Sequence, residues 1–367
     1  MQVSISRQPS ENNLEIPAPE PLVEVRRGGI TESRHRGHIV AVLPEGEIVA
    51  LLGAPETVTY LRSSAKPHQA IPLIVSGAAD RFGFNEKEIA LACASHSGEP
   101  IHVDVVTSML NKIGLPPDAL KCGSHEPFSV EAARELKSKG KEPSVLHNNC
   151  SGKHAGMLAL ALHLGEPVET YNQPEHPVQL AIGKVISQFS GIVLQDIAVG
   201  TDGCGVPVFG ITVKAMALMY ARLVSPPGEF DEETKNACAR IVAAMMAHPE
   251  LIGGTKDRLD TEMMQAASGR LISKVGAEGV YTVGVLPSGD WPKGFGLALK
   301  IEDGDDHRAR PVVVIESLRQ LGILADESLE AVARYAFFPV RNRAGDVVGE
   351  VTAGFKLNVT EGAPSKS

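Results

Sequence analysis

The sequence has little of what would commit it to a membrane, to nucleic acid or to an oxidising compartment. No apolar stretch reaches the roughly 20 residues needed to span a bilayer. Lys and Arg number 35 against 44 Asp and Glu, for a formal net charge of −9. That balance, without any basic run interleaved with aromatics, argues against nucleic acid or an anionic membrane surface as the main partner. The five cysteines, Cys93, Cys122, Cys150, Cys204 and Cys238, are odd in number and scattered, with no Cys-x-x-Cys among them. They form no disulfide framework, and a reducing cytoplasm is the simplest expected location. No internal repeat is found. The segment Met1 to Pro21 is polar and lacks the apolar core of a secretory signal, so it is expected to be a flexible lead-in.

What is present is enough for a sizeable core. Of 367 residues, 43% are hydrophobic and 22% charged, close to the usual shares of a soluble domain. β-like runs come first, at Leu22–Val25 and His38–Leu43, followed by a turn at Pro44–Glu47 and a return at Ile48–Leu52. Apolar residues at helical spacing then predict helices over Ala65–Ala79, Lys87–Ala94, Val103–Ile113, Val130–Lys139, Ala155–Leu164, Pro177–Ser190, Lys214–Val224 and Glu232–Ala247. Strand patterns resume at Arg270–Val275, Gly279–Leu286 and Phe295–Ile301. A helix is expected over His307–Leu321, and closing strands over Val347–Val351 and Gly354–Val359. Strands at both ends with helices between them predict an α+β fold, an antiparallel sheet built from N- and C-terminal strands with helices packed around it. We read residues 22–360 as one domain, with a central helical portion at about 64–268, and residues 361–367 as a flexible tail.

The strongest local chemistry is Ser63-Ser64-Ala65-Lys66. Pro67 belongs near a helix start, and residues three apart share a helical face, so Ser63 and Lys66 can meet. A serine hydroxyl becomes a useful nucleophile when a base takes its proton, and a neutral lysine can be that base. The competing reading is a surface helix cap, because Ser-x-x-Lys recurs by chance. Two further segments add weight: Cys93-Ala94-Ser95-His96-Ser97 after an apolar helix, and Ser273-Lys274-Val275-Gly276 on a predicted strand. Their order is similar to that of active-site serine enzymes of the β-lactamase and penicillin-binding type, although Ser95-His96-Ser97 departs from the usual middle element.

Two loops are dense in reactive side chains: His147-Asn148-Asn149-Cys150-Ser151-Gly152-Lys153-His154 and Gly200-Thr201-Asp202-Gly203-Cys204-Gly205. Cys150 and Cys204 can share a metal as thiolates, can be buried and inert, or one of them can be a nucleophile with His154 as its base. The residue pattern leaves these alternatives open. Cys93, Cys122 and Cys238 read as buried and inert.

Together these segments, with Arg27-Gly28-Gly29-Ile30, Glu32, His35, His248-Pro249-Glu250 and Lys300-Ile301-Glu302-Asp303-Gly304, resemble the class 3 L-asparaginases, the inducible and thermolabile type. The resemblance runs from about Arg26 to about Leu357. It implies a serine-β-lactamase-like fold and a homodimer. It also implies two Ser–Lys pairs, Ser63 with Lys66 and Ser95 with Lys274, and a zinc ion held by Cys150, Lys153 and Cys204. The expected reaction is hydrolysis of L-asparagine to L-aspartate and ammonia, with Asp202 and the zinc site as the candidates, ahead of Arg62, for holding the substrate's α-amino and α-carboxylate groups. Asp260 stands near the substrate site where a family member carries Cys, which leaves its role and the substrate preference open. The alternatives are a related serine amidohydrolase acting on glutamine, a lactam or a peptide; a non-catalytic zinc-containing protein that binds an amino acid; and zinc-driven hydrolysis with the serines as bystanders.

Overall fold

The structure is a computed structural model that describes residues 18–360. The lead-in before residue 18 and the tail 361–367 lie outside the described residues. The chain divides into two interleaved compact units. Of the described residues, one holds 65–210 and 228–261; the other holds 18–64, Ile211–Pro227 and 262–360.

The second unit is built on an antiparallel sheet. Its first strands are β1 (Glu20–Arg27), β2 (Ile30–Val42) and β3 (Ile48–Leu52), with a short β4 (Val58–Tyr60) after them. A hairpin follows in mid-chain, β5 (Ala198–Thr201) and β6 (Pro207–Thr212). The later strands are β7 (Leu271–Val275), β8 (Val280–Val285), β9 (Phe295–Ile301), β10 (Phe338–Arg341), β11 (Val347–Ala353) and β12 (Asn358–Val359). The sheet runs β10-β11-β1-β2-β9-β8-β7, and β3 branches from β2 and carries β12. β2 makes the branch possible by its length. Its first half pairs with β1, from Ile30 opposite Arg27 to Gly37 opposite Glu20. Its second half pairs with β9 on one edge and β3 on the other.

The α+β expectation holds, and N- and C-terminal strands do share one sheet. β1 has exposed residues at its ends, while β8, between β7 and β9, is buried along its whole length. The helix Val213–Val224 lies on this sheet. It comes so close that a Cβ at Gly296 of β9 would fall 1.8 Å from the carbonyl oxygen of Ala217, so this position needs glycine.

The first unit is helical, with the β5–β6 pairing (Ala198–Thr201 on Pro207–Gly210) added to it. Its centre is the helix Ser151–Leu164, in which every residue from Ser151 to Ala161 is buried. A helix buried on all sides is a core helix rather than an amphipathic surface one. This matters for the site, because it places Lys153 in the interior.

Three expectations need correction. The single helix over Ala65–Ala79 is a 3-10 turn (Arg62–Ala65) followed by three short helices, Lys66–Gln69, Ile71–Val75 and Ala78–Arg81. Pro67 and Pro72 each sit at a helix start, where a missing N–H costs nothing, and each therefore breaks the turn before it. The mid-chain segment read as helices and loops also contains the β5–β6 hairpin. At the end of the chain, only Asn358–Val359 of the predicted last strand pairs, and β10 was not foreseen. Among the described residues no helix is long and apolar enough to cross a membrane.

Candidate active site

Lys66 opens the helix Lys66–Gln69 and is 1% exposed. Its Nζ donates to the carbonyl oxygen of Ala94 at 2.7 Å, to Ser95 Oγ at 2.9 Å and to the carbonyl oxygen of Asn149 at 3.3 Å. Burying an amine is tolerable only if its hydrogen bonds are made, and these three oxygens make them. Two of the three are carbonyls, which only accept. The third is a hydroxyl, which can also donate. Ser95 Oγ is thus the one of these three partners that can also pass on a proton.

Ser95 is buried and its backbone is fixed from both sides. Its N–H donates to the carbonyl of Ile252 at 2.9 Å, and its carbonyl accepts from Arg258 Nη2 at 2.7 Å. His96 next to it stacks on His102 with ring centroids 4.9 Å apart. The Gly98 N–H donates to His96 Nδ1, so the ring proton is on Nε2 and is donated to Ser151 Oγ. Burial, helped by the charges of His102, Lys66 and Arg258, holds His96 well below the ordinary histidine range. It is a neutral brace.

In the other unit, Ser63 and Ser64 differ sharply. Ser64 is fully buried, and its hydroxyl donates to the Leu61 carbonyl at 2.7 Å while its own carbonyl accepts from Tyr220 OH at 2.7 Å. Ser63 is only half-buried. Of the two adjacent serines, Ser63 is the accessible one. Arg62 before it has a φ of 51°, in the left-handed region, and its guanidinium lies 3.9 Å from Glu278. For a residue with a Cβ, that conformation costs about 1–2 kcal/mol, and such strain is found at functional turns. Lys274 lies on β7 and is fully buried; its Nζ donates to the Val275 carbonyl at 3.3 Å and its carbonyl accepts from Thr282 Oγ1 at 3.1 Å.

The predicted metal ligands converge. Cys150 caps the start of the core helix, Lys153 sits one turn in, and Cys204 lies in the turn between β5 and β6. Lys153 Nζ donates to Cys204 Sγ at 3.0 Å, and Cys204 Sγ is 3.9 Å from Asp202 Oδ2. A hydrogen bond from the Cys204 thiol, aided by Lys66 and Lys153, holds Cys150 well below the usual thiol range despite burial. That same bond and burial push Cys204 up. Burial would lower Lys153, but the adjacent sulfurs and Asp202 outweigh it and hold the amine above its ordinary value. The pair of thiols thus keeps one proton between them, with an ammonium alongside.

Two thiol ligands and one nitrogen suit zinc chemically. Among the described residues no group of three or more His, Cys, Asp or Glu side chains forms a metal site. A metal there would displace protons from Cys204 and Lys153. His154, considered as a partner for a catalytic cysteine, points elsewhere: its Nδ1 is 2.5 Å from Tyr171 OH. Cys122 and Cys238 are buried and pushed up to about 12, in keeping with inert thiols.

Asp260 is 1% exposed and its Oδ2 is 3.7 Å from Arg258 Nη2. The sequence reading passed over Arg258, whose guanidinium reaches Ser95, Ser97 and Gly253. No local spacing could have revealed it, because the contact to Ser95 spans 163 residues.

No curated protein matches the chain. Solved structures similar to it include a probable glutaminase from Bacillus subtilis complexed with 6-diazo-5-oxo-L-norleucine, at 17% identity over 78% of this chain and 85% of that one, with a TM-score of 0.36. Mglu in its native form is 16% identical over 77% of this chain and 60% of that one, with a TM-score of 0.40. A Bacillus glutaminase is 15% identical over 78% and 91%, with a TM-score of 0.35. The family model for L-asparaginase II matches residues 23–353, nearly the whole described chain. The chain belongs to the L-asparaginase II family and is an amidohydrolase with a small-molecule substrate.

Proposed function

We propose that the protein hydrolyses the side-chain amide of L-asparagine to L-aspartate and ammonia. The observation that carries this reading is the buried Lys66 hydrogen-bonded to Ser95 Oγ at 2.9 Å. Family membership supplies the reaction class.

In this reading Ser63 Oγ attacks the amide carbon and its proton passes to Lys66. Lys66 hands that proton through the Ser95 hydroxyl to the departing nitrogen, the C–N bond breaks and ammonia leaves. Water then attacks the aspartyl ester, losing a proton to the same relay as the C–O bond to Ser63 breaks. Lys274 is the second base of the proposed double Ser–Lys site. Asp202 offers a carboxylate to the substrate's α-ammonium group, and Arg62 offers a guanidinium to its α-carboxylate. Cys150, Lys153 and Cys204 would hold a zinc ion, which when bound would supply a fixed positive charge able to orient an anionic substrate group and brace both loops.

The test is ammonia release from asparagine and from glutamine by wild type, Ser63→Ala and Ser64→Ala. Wild-type activity on asparagine above that on glutamine, lost in Ser63→Ala and largely kept in Ser64→Ala, is expected. Activity that survives Ser63→Ala but disappears on chelation would replace the serine by the metal. Tight asparagine binding without turnover would leave a binding protein.

A further inference from the structure

We propose that Arg258 is a positioning residue for Ser95, with Asp260 as the counter-charge that sets its guanidinium plane. The proposal rests on the amidohydrolase reading above and extends it to a residue that touches none of the reacting groups.

One planar guanidinium makes three short contacts. Nη2 donates to the Ser95 carbonyl at 2.7 Å, and Nη1 donates to Ser97 Oγ at 2.7 Å and to the Gly253 carbonyl at 2.9 Å. Ser97 Oγ in turn donates to the Gly253 carbonyl at 3.0 Å. The loop Ser95–Ser97 is thereby tied to the segment 253–258 at both of its serines. With the Ser95 N–H already given to Ile252, the backbone of Ser95 has no freedom left, and its side chain is aimed at Lys66. The two segments approach so closely that a Cβ on Gly254 would lie 2.6 Å from Ser97 Oγ and 2.7 Å from Glu99 Oε1. Asp260 is buried 3.7 Å from Nη2, so the guanidinium charge is balanced where it sits. A lysine at 258 could carry the charge but has no planar fork with which to bridge Ser95 and Ser97 at once.

Misplacing a reacting group by about 1 Å can cost on the order of 100-fold in rate. Arg258→Lys is therefore expected to lower kcat for asparagine by roughly 100-fold while KM stays within about twofold. Thermal melting should stay close to wild type. A crystal structure of the variant is expected to show Ser95 Oγ moved out of hydrogen-bond range of Lys66 Nζ. Asp260→Asn, which keeps the guanidinium but releases its orientation, should shift both readouts in the same direction and by less. It serves as the test if Arg258→Lys does not fold. A Ser95–Lys66 separation that remains at 2.9 Å in the folded variants, or a kcat loss that only follows a loss of melting temperature, overturns the proposal. If wild type releases no ammonia from asparagine, the functional reading has failed, and the Ser95–Lys66 separation alone decides the role of Arg258.

Discussion

Lys66 and Lys153 are both buried amines of the same helical unit, yet their surroundings give them different chemistry. Lys66 donates to three oxygens, two carbonyls and a hydroxyl, with the Cys150 sulfur also alongside it. Lys153 faces the sulfurs of Cys204 and Cys150 with Asp202 beyond them, and is held as an ammonium. Burial alone does not say what a lysine does; its neighbours do. Lys66 has a hydroxyl, Ser95 Oγ, among its partners, a group through which a proton can pass. Thiols lock it in place until something else, such as a metal ion, takes over their charge.

The comparison can be broken in order of expected effect. Lys66→Met removes the relay and leaves the rest of the unit intact. It should lower kcat for amide hydrolysis by roughly 100- to 10,000-fold, with zinc content unchanged. Near wild-type turnover in this variant would remove Lys66 from the chemistry. Lys153→Met should do the reverse. Zinc content by elemental analysis is expected to fall sharply and kcat by roughly 10- to 100-fold, the size typical of disturbing a metal site from its surroundings. Equal zinc occupancy in wild type and Lys153→Met would show that the amine is not a ligand.

A smaller and more distributed effect concerns the histidines around both lysines. His96, His102 and His154 are held below the ordinary histidine range, chiefly by burial. A group whose folded pKa is depressed contributes stability that is present above its unfolded pKa and is lost as pH falls below it, because the unfolded chain then takes up protons that the folded chain refuses. Denaturation midpoints should therefore be steady above about pH 7 and fall progressively as pH drops through 6 toward 5. A flat profile across that window would show that these rings titrate normally in the folded protein.

Much of the scaffold was legible because the periodic signal and the structural cause coincide. The helices Pro177–Ser190 and Glu232–Ala247 and the strand Phe295–Ile301 appear with the bounds that their patterns predict. Where pattern and cause part, the reading fails. Ala65–Ala79 has helical spacing, but Pro67 and Pro72 cut it into separate turns. The β5–β6 hairpin was hidden because Asp202-Gly203-Cys204-Gly205 between its strands reads as a loop with reactive groups. At the candidate site, the residue types were readable from Ser63-x-x-Lys66 and the two cysteine loops, because each segment carries several reactive side chains close together in sequence. The joining of Lys66 to Ser95, and of Arg258 to Ser95, was not, because those contacts are made by folding across 29 and 163 residues.

The central claim is that a serine, Ser63, carries the acyl group. Wild-type protein mixed with asparagine and quenched in acid within the first turnover can be digested and weighed peptide by peptide. The account predicts an aspartyl ester on the peptide containing Ser63, absent from Ser63→Ala. An adduct on the Cys150 or Cys204 peptide instead, or turnover in Ser63→Ala at the wild-type rate, would contradict it.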